Sequence, residues 1–193
     1  MTASIADIVG IIQGIGSLAA VGAAVWIYAK QYRDKKADDE NETRGFVQAI
    51  HDEIETVWND YSEQTGVLLL STQPGHHYDA FVPSISDGLI IYQGSPARVG
   101  KIDDDELRKL IVTAYVGLTG HFNSIFVNNQ MMAELEQMHS SSDLPNQAQR
   151  IAKRKNALVA YAVALKRSHN DLQSKVKALL AASQAWLASH PAR

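Results

Sequence analysis

The sequence contains no cysteine, which removes disulfide scaffolds, thiolate metal sites and cysteine nucleophiles, and agrees with a reducing compartment. Positive charge is not in excess either. With 18 Lys and Arg against 21 Asp and Glu, the formal net charge is −3, so the concentrated basic face that nucleic acid requires is not foreseen and no nucleic-acid partner is expected. Catalytic signatures are lacking as well: there is no Gly-x-Ser-x-Gly elbow, no Gly-rich phosphate loop and no His-Glu-x-x-His pair. The expectation is a protein without enzymatic activity, metal or cofactor.

Charge is missing altogether from one stretch. Residues 8–29, IVGIIQGIGSLAAVGAAVWIYA, run for about 22 residues without Asp, Glu, Lys or Arg, and a helix needs about 20 to cross the hydrocarbon core. A cleaved signal peptide is disfavoured, because the start MTASIAD carries no Lys or Arg and the apolar run is too long. Lys30, Arg33, Lys35 and Lys36 follow directly, while only Asp7 and the terminal amine precede. Basic residues are retained on the cytoplasmic side, so the N-terminus is expected outside and the rest of the chain in the cytoplasm, as a single-pass inner-membrane protein. Trp26, Tyr28 and Tyr32 sit at the same exit, where amphipathic rings favour the headgroup region.

The span has two unlike faces. At 100° per residue, Gly10, Gln13, Gly14, Ser17, Ala20, Val21 and Ala24 share one arc, and Ile8, Ile11, Ile15, Leu18 and Trp26 lie opposite. Gly10-x-x-x-Gly14 continued by Ser17 allows close approach of a second helix, and Gln13 can hydrogen-bond across that contact. The expected partners are therefore the lipid bilayer and either a second copy of the chain or another membrane protein.

With 193 residues, the chain has room for one domain beside the anchor. Residues 1–30 are read as the anchor, 31–42 as a charged linker or solvated helical extension, and 43–193 as a cytoplasmic helical domain. In that domain Phe46, Val47, Ile50, Ile54, Val57, Trp58, Tyr61, Thr65, Leu68 and Leu69 make one apolar stripe on a helix over about 43–70. Leu107, Leu110, Ile111, Ala114, Leu118, Phe122 and Ile125 make another, opened by Asp103, Asp104, Asp105 and Glu106 and running to about 138. Polar turn residues at 140–145 break the chain, with Pro145 acceptable in a first helical turn. The last helix, about 146–189, carries Ile151, Lys155, Leu158, Ala162, Leu165, His169, Leu172, Val176, Leu179, Ser183 and Trp186 at a 3.5-residue period. Long antiparallel packing against the other two helices is its simplest use, ahead of an intermolecular coiled coil, because Lys155, Ala162, His169 and Ser183 weaken the seam. The fold class is thus all-α: one N-terminal transmembrane helix, then a cytoplasmic bundle of about three long helices with an irregular insert at about 71–102.

That insert holds the remaining candidates. A connection of such length is uncommon and is often functional. Residues 89–92 read as a short strand or as a plug for the bundle end, and Ser95, Pro96 and Gly100 as cap, first turn and stop of a single helical turn. His76 and His77, beside Tyr78 and Asp79, bring two metal-ligand types together, but adjacent side chains rarely converge on one ion and no third ligand follows, so a solvated loop is preferred. Arg98 suits an anion or a tether to helix ends. His76, His77, Tyr92 and Arg98 form the candidate loop site. His51, Glu55 and His121 are placed to meet inside a bundle, yet the Glu-x-x-His repeats of carboxylate metal bundles do not occur, and a structural role is preferred.

The run 91–115, IYQGSPARVGKIDDDELRKLIVTAY, combines an aromatic, a short turn, Gly100 with Ile102 two residues on, an acidic helix start and Tyr115. In this it resembles the central segment of a widespread set of small, uncharacterised bacterial membrane proteins, which place it between an N-terminal anchor and a long helical region. The resemblance covers about a fifth of the chain and carries no assigned active site; some similarly built proteins are suspected effectors beside phage-defence genes. The expected function is a membrane-anchored interaction or assembly module, oligomeric through its anchor, with a membrane-perturbing effector as the alternative.

Overall fold

The computed structural model describes the backbone of residues 5–82, 88–140 and 146–192, and within those ranges the side chains from residue 24 onward. It is all-helical, with no strand among the described residues: α1 (Ile5–Tyr61), a π-helical turn (Ser62–Gly66), α2 (Val67–Ser71), α3 (Ile90–Gly94), α4 (Pro96–Val99), α5 (Asp105–Ser140) and α6 (Gln147–Ser189). The chain divides into two compact units, Met1–Arg44 with Ala192–Arg193, and Gly45–Pro191.

In the first unit the backbone of the expected span is helical from Ile5, and residues 31–42 continue the same helix. The side chains of Gly10, Gln13, Gly14, Ser17 and Ala20 lie outside the described residues; Ala24, the last of that face, is exposed. Thr43 donates its hydroxyl to the Asp39 carbonyl at 2.9 Å, a back-bond within the charged stretch.

The second unit is built on α5 and α6. Tyr115, Leu118, Phe122 and Ile125 of α5 and Leu165, Leu172, Val176 and Leu179 of α6 join Phe46, Ile50, Ile54 and Trp58 of α1 in one core. The directions follow from cross-helix pairs. His51 meets Ser183 and Tyr61 meets His169, so α1 is antiparallel to α6. Tyr115 meets Glu53 and His121 meets Tyr61, so α1 and α5 run parallel. Two parallel helices cannot be joined by a tight turn, and the insert is the crossover that returns the chain to the starting end.

The expected seam of α6 is buried from Leu158 through Ala162, Leu165, His169, Leu172, Val176, Leu179 and Ser183 to Trp186. Ile151 is only half-buried and Lys155 is exposed. Among the described residues no third helix reaches those turns, because α2 stops at Ser71 and Lys166 is already donating to the Leu70 carbonyl at 3.1 Å. On the first cytoplasmic stripe, Leu68 is exposed and Leu69 buried. The π turn sets i to i+5 spacing after Tyr61, so the core-facing position moves on by one residue. Gly66 closes this turn, and a Cβ there would stand 3.0 Å from His169 Cε1.

Two local expectations change. Residues 90–94 form helix α3 and not a strand, with Leu89 buried as the plug. Pro96 does open a short helix, but the Ser95 side chain makes no capping bond and Gly100 stays right-handed at φ −67°. The α5 start behaves as its acidic run requires: Asp104 Oδ1 accepts the Leu107 N–H at 2.9 Å. Pro145 lies outside the described residues; α6 begins after Asn146, left-handed at φ 60°, a conformation that Asn tolerates.

Candidate functional site

Two polar constructions stand out in the second unit, one in the core and one where the insert is fastened to the bundle.

The core construction joins all three long helices. The Tyr61 hydroxyl lies 2.6 Å from His121 Nε2 and 2.9 Å from His169 Nδ1, and His121 Nδ1 lies 2.9 Å from Ser168 Oγ. Each residue occupies a core-facing position of its helix, which is why three polar side chains converge there. Their rings pack edgewise or tilted: Tyr61 on His121 at 5.2 Å, Tyr61 on Phe122 at 5.5 Å and Trp58 on His169 at 5.4 Å. A hydroxyl has one proton to give and can accept one or two. With both imidazoles neutral, Tyr61 donates to one histidine and accepts from the other, and the two opposite proton arrangements both satisfy every bond. Burial disfavours charge here: it lowers the His121 pKa to about 4, with neighbouring His169 adding to the effect, and it lowers that of His169. Burial, with the Tyr78 phenol second, raises the Tyr61 pKa. The network is a neutral clamp that can shift a proton internally but resists carrying net charge.

The second construction centres on Glu53, about two turns before the end of α1. Its Oε1 accepts the N–H groups of Ile90 and Ile91 at 2.6 and 2.7 Å, and its Oε2 accepts the Tyr115 hydroxyl. The first turn of α3 thus receives its cap from a distant carboxylate instead of a local side chain. Tyr92 then stacks on Tyr115, with centroids 4.4 Å apart and planes 20° from parallel. Burial raises the Tyr115 pKa, and the hydrogen bond to Glu53 raises it further. Beside this clasp lies an open groove of about 530 Å³, walled by Tyr92, Pro96 and Val99 on one side and by Arg108, Lys109 and Val112 on the other. Arg108 is committed locally, donating to the Ile102 carbonyl and the Asp105 carboxylate.

Further hooks hold the insert lower down. Asn128 donates to the Tyr78 carbonyl at 3.0 Å and Asn129 to the Val82 carbonyl at 2.6 Å. The Tyr78 hydroxyl and Asn128 Oδ1 are buried without a partner among the described residues. At the opposite end Trp186 donates to Asp103 at 3.2 Å, and its ring stacks on His190 at 4.0 Å.

The sequence-derived candidates are distributed over these features. Tyr92 belongs to the clasp, and Arg98 is exposed on α4 beside it. His76 is exposed and His77 half-buried next to Tyr78, which is fastened at Asn128. Tyr115 and Asn128 are about 20 Å apart along α5 at the standard helical rise, so the insert's histidines and its Tyr92–Arg98 turn are fastened at different levels. Among the described residues no group of three or more His, Asp or Glu is placed to hold a metal ion. His51, Glu55 and His121 do not converge: His51 bonds Ser183, Glu55 is exposed, and His121 turns to Tyr61. Sequence reasoning missed Glu53 and the joining of His169 to Tyr61. A signal for the second existed, since His169 and Ser183 interrupt an otherwise apolar seam and each meets a partner from α1.

No family model, curated protein or solved structure matches this chain.

Proposed function

We propose that the protein is a membrane-anchored helical interaction module that acts by binding and assembly, without a catalytic step. Residues 8–29 form a single span with the N-terminus outside, the bundle lies in the cytoplasm, and Gly10, Gln13, Gly14, Ser17, Ala20 and Ala24 form the face through which spans associate. The observation that carries this reading is the exposure of Val25, Trp26, Ile27 and Tyr28 together. Four consecutive helical residues point all round the axis, so no single protein neighbour can cover them, whereas a bilayer interface surrounds the helix. Lys30, 5.8 Å over the Trp26 ring, and Arg33 supply the basic flank. The likeness of residues 91–115 to the central segment of small bacterial membrane proteins supports the same placement. Full-length protein is expected to remain in the membrane pellet through alkaline carbonate washing, and a green-fluorescent fusion after Arg193 is expected to fluoresce. Release by carbonate, or activity of an alkaline phosphatase fused at the same point, overturns the anchor or its orientation.

The glycine-lined face favours one second reading, an effector whose associated spans disturb the membrane. Induction of the full-length chain and of Gly14→Leu, with membrane potential followed by a dye, separates the two. Depolarisation by the native chain that Gly14→Leu abolishes selects the effector, and no depolarisation by either removes it.

A further inference from the structure

The groove beside the Glu53 clasp has two walls, and the fold ties them together at two places. One wall is the insert, with Tyr92 of α3 and Pro96 and Val99 of α4. The other is the beginning of α5, with Arg108, Lys109 and Val112. At the first tie the Tyr92 ring is stacked on Tyr115, whose hydroxyl is held by Glu53, the carboxylate that also receives the Ile90 and Ile91 N–H groups. At the second, Arg108 donates to the Ile102 carbonyl, and the Ile102 N–H donates to the Val99 carbonyl at 3.2 Å. Val99 and Ile102 are themselves part of the buried core. The space of about 530 Å³ is therefore preformed. It falls within the roughly 300–1,000 Å³ of small-molecule sites, and binding there has little left to order.

Charge narrows the class of ligand. No carboxylate lines the groove, although four acidic residues stand directly before α5 or open it. Asp103 accepts from Trp186, Asp104 accepts the Leu107 N–H, Asp105 is paired with Arg108, and Glu106 is exposed. The charge of Arg108 is thus largely matched by its own neighbour. Lys109 is exposed and makes no ion pair among the described residues, so its ammonium is the charge that the groove presents. The remaining walls are an aromatic ring, a proline and two valines. One unmatched cation beside a mainly apolar space complements an amphipathic monoanion. A polyphosphate needs several converging donors, which are not gathered here. The Tyr92 ring and the Pro96 ring favour a flat, apolar body on the ligand.

We infer that this groove binds a small aromatic carboxylate, its ring against Tyr92, Pro96 and Val112 and its carboxylate on the Lys109 ammonium. The inference rests on the reading of the protein as a binding module, to which it gives a ligand class, and makes no use of the anchor. A ligand that touches both walls binds only while the insert is fastened. By mass action it therefore holds the insert down.

The probe is 2-naphthoate, with 2-naphthylmethanol as the uncharged counterpart and acetate as the charge without the ring. Equilibrium dialysis uses the full-length chain in dodecylmaltoside at neutral pH, with protein-free micelles as the blank for partitioning. Saturable one-to-one binding is expected, at least tenfold tighter for 2-naphthoate than for either counterpart. Lys109→Glu and Val112→Glu, both at exposed positions of α5, are each expected to weaken it at least tenfold while the helical circular dichroism stays unchanged. Val116→Glu, one turn further on and outside the groove, is expected to leave it within twofold. Saturating 2-naphthoate is also expected to slow proteolysis within residues 88–104 at least threefold in the native chain and not in Lys109→Glu. Absence of saturable binding up to about 10 mM 2-naphthoate overturns the site. Equal binding of the alcohol overturns the role of Lys109, and an equal loss in Val116→Glu overturns the location. Failure of the anchor reads out separately, as release by carbonate, and leaves the dialysis result standing.

Discussion

Tyr61 is the residue on which the core depends, because its single hydroxyl is the shared partner of two buried imidazoles. Tyr61→Phe keeps the ring packing but leaves His121 Nε2 and His169 Nδ1 facing each other without that partner. A loss of about 1–3 kcal/mol in unfolding free energy is expected, the cost of buried groups left unmatched, and urea denaturation of the detergent-solubilised chain measures it. Acid acts through the same atoms. His121 has a folded-state pKa of about 4 against about 6.5 in the unfolded chain, so on acidification the unfolded state takes up the proton first. The stability contributed by neutral His121 is complete above about pH 6.5 and drains away as pH falls toward 4, at up to about 1.4 kcal/mol per unit. His169 is shifted in the same direction. Protonating both imidazoles leaves the Tyr61 proton with no acceptor among them, so loss of packing is expected to be cooperative. A denaturation midpoint that stays constant from pH 7 to pH 5 contradicts this account, and the acid slope is expected to shrink in His121→Asn.

At the scale of elements, the insert shows what a sequence pattern can and cannot convey. Its boundaries were legible from the loss of apolar periodicity after Leu69 and its return at Leu107, and Pro96 marked a true helical start. What fastens it was not legible, because Glu53 is one of several acidic residues on α1 and nothing in its local spacing distinguishes it from exposed Glu55. Only the parallel run of α1 and α5 brings the first turn of α3 above that one carboxylate. Glu53→Ala removes three hydrogen bonds to a charged acceptor, leaving two N–H groups and the Tyr115 hydroxyl unmatched. An overall loss of about 2 kcal/mol or more is expected, with faster proteolysis confined to residues 88–104. If cleavage there does not change, the clasp is not what holds the insert.

For the whole molecule, helix number at each level governs how firmly the chain is held. The seam of α6 was legible because a 3.5-residue period survives the polar interruptions at His169 and Ser183, both of which prove buried. Ile151 and Lys155 fit that period equally well and are not buried. Periodicity reports the face that would pack, whereas burial depends on whether a third helix reaches that level, and α2 has ended by then. Among the described residues, the beginning of α6 before Leu158 and the end of α5 pack as a two-helix arm, joined by Leu135 and by the pair of Arg154 with Glu134. A two-helix contact buries one face of each partner and leaves most backbone hydrogen bonds close to solvent, so local opening there costs less than opening the three-helix section. Amide hydrogen exchange of the full-length chain is expected to be at least tenfold faster over 148–156 than over 165–179. Equal protection in the two segments means that something else covers the arm.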